Sequence, residues 1–343
     1  MTGGPLTPGG ALPPASLDRL GAWLRTRGIL GGGTLTARLA GDGHSNLTYV
    51  VGNGEREVVV RRPPPPPLPP GANDVLREAA ILHSLRGTRV PVPRVLATGA
   101  SGEVFDVPFF VMEFVAGPIV ASGPAPAGIG GAPLAAGMTR VLADLHAVDW
   151  AAGGIRGHAE GSNLRHRSRI ARLVADDAGA PPPAFADVDA WLIENAPAES
   201  GAALLHNDFR LGNLVLDPTG TRVAAVLDWE LASVGDPLVD LGYLVAAWAE
   251  PGREPETPIE RLGSATAAAG FPTRADLVDA YAAASGRDVG GLAWYVALAE
   301  WKLAVLWEYN RRRVEAGVGD PYYADPAQVT EFLDAARRWA ERA

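Results

Sequence analysis

The sequence predicts an α+β fold with two lobes, a β-rich N-terminal lobe and a helical C-terminal lobe. Strand-like runs dominate residues 34–114, helical patterns dominate after Val115, and 47% of the 343 residues are apolar, which is enough for a sizeable core. We therefore predict a disordered Gly/Pro-rich segment over residues 1–14, an N-lobe over 15–115 and a C-lobe over 116–343.

The first elements of the N-lobe follow from spacing and turn chemistry. Ser16 suits the start of a helix whose apolar residues recur at helical spacing until Gly28 ends it. Residues 34–40, 46–52 and 57–62 are predicted strands, and Asn53-Gly54 between the last two indicates a β-hairpin. The proline run over residues 63–70 is predicted to be an extended linker. A helix over 73–85 and strands over 90–95 and 107–114 complete this lobe.

The C-lobe is predicted from longer apolar repeats of helical period. Helices are predicted over residues 134–145, 187–194, 237–248, 274–284, 292–313 and 326–342, and short strands over 214–216 and 223–227. Thr273 and Asp276 suit a capping box at the start of one of these helices.

Composition excludes several classes of function. The chain has no cysteine, so disulfides and thiolate metal sites are excluded. A net charge of −9 argues against a nucleic-acid partner. We see no signal peptide and no membrane-spanning stretch, and we expect a cytoplasmic protein. Lys302 is the only lysine, which excludes a P-loop and a lysine Schiff base at any other position.

The segment from Leu204 to Leu241 carries the chemistry. It places Asp208 and Asn213 in a polar loop between two apolar pieces, at the D-x-x-x-x-N spacing of a kinase catalytic loop. Asp228 follows fifteen residues after Asn213, at the end of a predicted strand.

These residue types suit phosphoryl transfer from ATP. The reaction needs a carboxylate to orient or deprotonate the attacking hydroxyl, oxygen ligands for Mg²⁺ and a cation to balance the phosphate charge. Asp208 is the candidate catalytic carboxylate, and Asn213 and Asp228 are candidate Mg²⁺ ligands. Arg210 is a candidate catalytic cation because it lies two positions after Asp208. His206, Asp236 and Asp240 are expected to brace this loop rather than to contact substrate.

The chain resembles the aminoglycoside phosphotransferase and choline kinase superfamily, which has a two-lobe protein-kinase-like fold. Within it, the chain is most similar to kinase domains associated with acyl-CoA dehydrogenases. The motifs that carry the resemblance are HNDFRLGN, LDWELASVGDPLVDL and VVVRRPPPPPLPP. The resemblance spans roughly Leu17 to Arg313.

The resemblance implies a nucleotide site in the N-lobe, with ATP in the cleft between the lobes. Arg61 occupies the position of the lysine that holds the α and β phosphates, and Glu78 is its partner. Ser45 and Asn46 belong to the loop over the phosphates, which runs from residue 41 to 49. Arginine in place of lysine keeps the charge but changes reach and geometry.

The same resemblance implies an adenine-binding hinge over residues 110–115. Met112 belongs to this stretch, and the backbone of Glu113 and Val115 is expected to meet the base. A second departure from the family lies in the catalytic loop, where Asn207 replaces the glycine that many relatives carry before the catalytic aspartate.

Three functions stay open on the sequence. The first is a kinase that phosphorylates a hydroxyl of a small molecule, such as a hydroxyacyl-CoA or another hydroxy metabolite. The second is a pseudokinase that binds nucleotide without turnover. The third is an antibiotic kinase of the aminoglycoside type.

Overall fold

The computed structural model describes residues 12–40, 46–64, 73–123, 128–157 and 160–343. These residues form two compact units. The first contains the described residues up to Arg86 together with Val92–Ala116, and the second contains Gly87–Pro91 and the described residues from Gly117 onward.

The first unit is a five-stranded antiparallel sheet with two helices. Its elements are α1 (Pro14–Thr26), β1 (Thr36–Ala40), β2 (Leu47–Gly52), β3 (Glu57–Arg62), α2 (Val75–Ser84), β4 (Val95–Gly99) and β5 (Phe109–Glu113). The strand order is β1-β2-β3-β5-β4. The hairpin between β2 and β3 closes through Asn53, whose side-chain oxygen accepts from the amides of Glu55 and Arg56 at 3.1 and 3.0 Å.

The two faces of this sheet carry different side chains. One face carries Tyr49, Val58 and Val111 and packs against Leu20 and Trp23 of α1 in a buried apolar core. Because side chains alternate along a strand, the neighbouring residues of β3 and β5 lie on the opposite face. That opposite face holds Arg61 and Met112, two of the predicted nucleotide-binding residues.

The second unit is mostly helical. Its helices are α3 (Gly131–His146), α4 (Ser162–Ala171), α5 (Ala186–Glu194), α6 (Leu238–Ala246), α7 (Pro258–Leu262), α8 (Arg274–Ser285), α9 (Leu292–Glu315) and α10 (Ala327–Ala340). The unit also contains two small antiparallel pairs, in which β6 (Ala203–Leu205) pairs with β9 (Ser233–Gly235) and β7 (Leu214–Leu216) pairs with β8 (Val223–Val226). α9 packs against α6 and α10 and forms the centre of the helical core.

The α+β architecture with a β-rich and a helical part is confirmed. The capping box at Thr273 and Asp276 is also present. The strand predicted over residues 90–95 is wrong, since β4 begins only at Val95. Pro91 and Pro93 lack the amide that a ladder needs, and this delays the strand. Helices α4 and α7 were not predicted, because α4 is polar over most of its length and α7 is very short.

Three predictions fall wholly or partly outside the described residues. They are the disordered segment over 1–14, most of the phosphate-covering loop over 41–49 and most of the proline linker over 63–70. The functional division at residue 115 stays a prediction. Within the described part of the chain, none of the helices combines the length and the apolarity that crossing a bilayer requires.

Candidate active site

Asp208 lies in the loop between β6 and a short 3₁₀ turn over Leu211–Asn213. Two neighbours in this loop hold its carboxylate. Asn213 Nδ2 donates to Asp208 Oδ2 at 2.7 Å and to the Asp208 carbonyl at 2.9 Å, and Arg210 Nε donates to Oδ1 at 3.2 Å. The Asp208 side chain is 18% exposed, so it is oriented by the protein and remains accessible.

Tyr243 of α6 lies close to the same carboxylate, and its side chain is buried in the core. Burial raises the pKa of Tyr243 well above its usual value, and the nearby Asp208 charge adds to that effect. The phenol therefore stays protonated at neutral pH.

Asp240 of α6 binds the backbone of the loop that carries Asp208. The amides of His206 and Asn207 both donate to its carboxylate at 2.7 Å, and His146 lies 3.2 Å from it. Asp240 is fully buried. Burial works to raise the pKa of its carboxyl, but the His146 hydrogen bond, electrostatic interactions with His146 and His206, and the His206 amide outweigh burial and lower it. The bracing role predicted for Asp240 is confirmed.

Asn207 is one of the non-glycine residues with a left-handed backbone, at φ 66°. Asparagine tolerates this conformation better than most residues do. Its Nδ2 donates to the carbonyl of Leu231 at 2.9 Å and to Ser233 Oγ at 2.8 Å. Asn207 thus accepts the backbone geometry that suits glycine and also ties the catalytic loop to the segment that follows Asp228.

Asp228 follows β8 and also has a left-handed backbone, at φ 65°. The β7–β8 pair brings it close to Asn213, because the amide of Leu227 donates to the Asn213 carbonyl at 2.9 Å. His206 Nε2 lies 2.8 Å from the Leu227 carbonyl, so the bracing role predicted for His206 is confirmed.

Arg210 links the two acidic residues electrostatically. Burial works to lower the pKa of its guanidinium, but electrostatic interactions with Asp208, Tyr243 and Asp228 outweigh burial and raise it. Asp208 is therefore in contact with Arg210 and Asn213, and Asp228 is close enough for its charge to act on Arg210. The roles of these residues stay predictions.

In the first unit, Arg61 and Glu78 form a buried ion pair. Arg61 Nε lies 2.8 Å from Glu78 Oε2, and the two side chains are 10% and 2% exposed. Arg61 Nη1 also donates to Thr48 Oγ1 on the neighbouring strand at 3.1 Å. The structure thus brings together the two residues that the sequence predicted as a pair.

Of the two consecutive arginines, only Arg61 can pair with Glu78, because Arg62 lies on the other face of the sheet. The side chain of Arg62 points to the other face of the sheet, where its guanidinium lies 5.2 Å from the Phe105 ring centroid and 5.7 Å from that of Tyr49. Strand alternation therefore sends only Arg61 to the face that carries Glu78.

The predicted hinge lies at the end of β5. Met112 is buried, Glu113 is the last residue of the strand, and Val115 lies in the chain that follows. The amide of Glu113 donates to the Arg94 carbonyl at 2.9 Å, and its carboxylate pairs with Arg94 at 2.8 Å. Asn46 is buried directly before β2 and accepts from Asn73 Nδ2 at 3.1 Å, whereas Ser45 lies outside the described residues.

The donor set suits a metal that takes few protein ligands. The side-chain nitrogen Nδ2 of Asn213 makes two hydrogen bonds to Asp208, so its Oδ1 is the atom suited to a cation. In the described ranges, no group of three or more His, Cys, Asp or Glu side chains is arranged to hold a metal. Mg²⁺ is usually held by one or two protein oxygens together with substrate phosphates, which matches this arrangement.

Sequence reasoning missed three residues of this region. Tyr243 and His146 look like ordinary apolar-face residues of helices, and only the fold brings them to Asp208 and Asp240. Lys302 of α9 donates to the Asn207 carbonyl at 2.9 Å. Its being the only lysine was the one available signal.

Comparison with known proteins agrees with this geometry. The model of the phosphotransferase enzyme family matches residues 36–295. The chain is 31% identical to the Gallus gallus protein acyl-CoA dehydrogenase family member 11 over 284 residues, which is 79% of this chain and 36% of the relative. The chain thus spans little more than a third of the length of that curated relative.

Solved structures share the fold. A Ralstonia eutropha JMP134 protein named as a candidate aminoglycoside phosphotransferase has a TM-score of 0.72 and 29% identity, covering 94% of this chain and 95% of its own. A mutant of aminoglycoside phosphotransferase APH(4)-Ia, crystallised with AMP-PNP and hygromycin B, has a TM-score of 0.60 at 17% identity, covering 95% and 99%. The resemblance inferred from the motifs is confirmed, and the chain belongs to the phosphotransferase enzyme family.

Proposed function

We propose that this phosphotransferase is an ATP- and Mg²⁺-dependent kinase that transfers the γ-phosphoryl group to a hydroxyl of a small molecule. The observation that carries the proposal is the convergence of Asp208, Arg210, Asn213 and Asp228 in one accessible loop region. This set supplies a carboxylate, a cation and metal-suited oxygens, which are the groups that phosphoryl transfer requires.

Asp208 acts on the acceptor hydroxyl. The hydroxyl oxygen forms a bond to the γ-phosphorus, the bond from that phosphorus to the β–γ bridging oxygen breaks, and ADP leaves. The hydroxyl proton passes to Asp208. Its carboxylate is well placed for this role because hydrogen bonds from Asn213 and Arg210 fix its orientation.

The cations have separate roles. Arg210 lies beside Asp208 and balances charge on the transferring phosphoryl group. Arg61 holds the α and β phosphates, and Glu78 fixes its guanidinium through the 2.8 Å ion pair. Asn213 Oδ1 and the Asp228 carboxylate would hold Mg²⁺, which when bound neutralises charge on the β and γ phosphates.

The hinge backbone recognises the base. The amide of Glu113 is already bonded to the Arg94 carbonyl. The carbonyl of Glu113 and the amide of Val115 are therefore the groups that we assign to adenine. Met112, on the face of the sheet that carries Arg61, forms part of the same site.

The relatives of the chain indicate the class of acceptor. Similarity to acyl-CoA dehydrogenase family member 11 supports a hydroxyacyl-CoA or another hydroxy metabolite. The antibiotic kinases among the solved structures share the fold at low identity and support an antibiotic acceptor less strongly.

The test is an activity screen of the purified chain with ATP, Mg²⁺ and three pools of acceptors: hydroxyacyl-CoAs, simple hydroxy metabolites, and aminoglycosides with macrolides. The readout is a mass gain of one phosphate on the acceptor. Phosphorylation in the first or second pool supports the proposal, and phosphorylation only in the third assigns an antibiotic kinase. Tight Mg²⁺-dependent ATP binding with no product in any pool identifies a pseudokinase and overturns the proposal.

A further inference from the structure

Lys302 is a buried residue that contacts the backbone of the loop carrying Asp208. It belongs to α9, is 5% exposed, and donates through Nζ to the carbonyl of Asn207 at 2.9 Å. That carbonyl belongs to the peptide unit that leads directly into Asp208. The Nζ atom also lies 4.9 Å from the ring centroid of Tyr243, a residue close to the Asp208 carboxylate.

The peptide before Asp208 is held at both of its polar atoms. Lys302 binds its carbonyl, and its amide hydrogen is donated to His206 Nδ1 at 3.2 Å. The two preceding amides, of His206 and Asn207, donate to Asp240. The loop backbone therefore lies between a buried anion, which binds amides, and a buried cation, which binds a carbonyl.

The charge of Lys302 is also placed for an electrostatic role. Burial lowers its pKa to about 8, while the negative charges of Asp208 and Asp240 act to raise it and Arg169 acts to lower it. His166 of α4 is close enough for the Lys302 charge to help lower the pKa of its imidazole. The charged and titratable groups around the ammonium are thus Asp208, Asp240, Tyr243, Arg169 and His166.

The chemistry of the ammonium fits this place. A buried lysine carries a large desolvation cost unless its donors are bound, and an apolar side chain would avoid that cost. Every other basic residue apart from the histidines is arginine. An ammonium is a compact charge with three donors, whereas a guanidinium is a wide planar fork, so the two side chains would hold this carbonyl differently.

We propose that Lys302 is a positioning residue for phosphoryl transfer, which acts through the Asn207 carbonyl to fix the peptide that carries Asp208. This inference rests on the proposed role of Asp208 as the catalytic carboxylate. It assigns to the single lysine a function in the chemical step and none in nucleotide binding.

The kinetic test compares Lys302→Met, Lys302→Arg and the control Glu300→Gln, which changes a neighbouring buried residue of the same helix. We expect Lys302→Met to lower kcat about tenfold or more with KM for ATP unchanged, because the lost interaction orients the catalytic group. Lys302→Arg should recover part of kcat, and Glu300→Gln should change neither constant. Circular dichroism and kcat at several temperatures well below Tm separate this effect from partial unfolding.

A second measurement needs no acceptor and no turnover. Labelling with ¹⁵N-lysine yields a single lysine side-chain signal, since the chain has one lysine. The Asp208 charge acts to raise the Lys302 pKa, so Asp208→Asn should lower the pKa measured from this signal. The surface variant Asp149→Asn should leave it unchanged.

The outcomes separate this inference from the function on which it rests. Normal kcat in folded Lys302→Met, with Asp208→Asn inactive, overturns the role of Lys302 and leaves the proposed function intact. Normal activity in Asp208→Asn overturns the proposed function itself. A Lys302 signal that does not respond to Asp208→Asn contradicts the coupling between the two residues.

Discussion

Asn213 Nδ2 lies 2.7 Å from Asp208 Oδ2, so the amide of a predicted metal ligand orients the carboxylate of the predicted catalytic residue. The same nitrogen donates to the Asp208 carbonyl at 2.9 Å, which closes the turn between them. The position of Asn213 therefore fixes both the backbone and the carboxylate of Asp208. The separation of five residues in the sequence allows the chain to make the turn that these two bonds close.

Asp208→Asn is expected to lower kcat by about 10²–10⁴-fold, because the amide cannot accept the proton of the acceptor hydroxyl. Asp228→Asn should lower the rate and shift its dependence on Mg²⁺ to higher concentrations, since the substitution removes the charged ligand. Steady-state kinetics with Mg²⁺ titration measures both. Asp149→Asn is the matched control, because Asp149 is an exposed carboxylate whose Oδ1 caps a turn in a way that asparagine preserves. Full activity of Asp208→Asn contradicts the assignment.

The Arg61–Glu78 pair predicts a non-additive pattern of stability. Arg61→Met leaves Glu78 buried without its cation and should lower the free energy of unfolding by about 3–5 kcal/mol. The double variant Arg61→Met/Glu78→Leu should lose less than that single variant. Urea denaturation at neutral pH provides the measurement.

The exposed ion pair between Asp187 and Arg337 supplies the control for that experiment, with side chains that are 58% and 37% exposed. Asp187→Ala should cost about 1 kcal/mol or less. If Asp187→Ala and Arg61→Met lower the free energy of unfolding equally, the buried pair contributes no more to stability than the exposed one.

Two substitutions of Asn207 measure separately the cost of backbone strain and the contribution of its side-chain hydrogen bonds. Asn207→Gly keeps the left-handed backbone without strain and loses only the bonds to Leu231 and Ser233, whereas Asn207→Ala loses the same bonds and adds strain. We expect alanine to be about 1 kcal/mol less stable than glycine at this position. Urea denaturation of the two variants checks the difference, and Ser233→Ala measures one of the lost bonds alone. Equal stability of the two variants would be inconsistent with a left-handed Asn207.

Glu300 predicts a pH-dependent stability. It is 1% exposed, its Oε2 has no hydrogen-bond partner within the described ranges, and burial raises its pKa well above the usual value. The unfolded chain ionises near the ordinary pKa of 4.5 while the folded chain stays protonated. Glu300 therefore reduces stability progressively as pH rises above that value.

The variant Glu300→Gln imitates the protonated form and removes this dependence. We expect it to be more stable than the parent chain at pH 8 and to differ little from it near pH 4. Thermal unfolding of both proteins across this range gives the comparison. A stability difference that stays constant with pH would show that Glu300 is ionised in the folded protein.

The sequence predicted the parts of this molecule that depend on local pattern. Asp208, Asn213 and Asp228 lie in one segment, and their match to the spacing of a kinase catalytic loop, together with the family resemblance, predicted that they act together. Arg61 and Glu78 are seventeen residues apart, and the pair was predicted only through the family resemblance, because nothing local indicates which strand residue faces the helix.

The interactions that the sequence could not predict join distant helices. Tyr243 of α6 and Lys302 of α9 come close to the catalytic loop although they lie 35 and 94 residues after Asp208 in the sequence. Their side chains sit among apolar residues at helical spacing, so the pattern indicates core packing and gives no partner. The strand predicted over 90–95 was wrong for a local reason. Its hydrophobic residues favour a strand, but its prolines lack the backbone amides that pairing needs.

The burial of Lys302 has a practical consequence for handling the protein. Reagents that target ε-amines, including acylating dyes, cross-linkers and immobilisation resins, find no exposed lysine side chain on the folded chain. Lysine acylation detected by mass spectrometry within residues 292–315 therefore records opening of the helical core. Lys302 thus serves as a chemical reporter of the opening of this helical core.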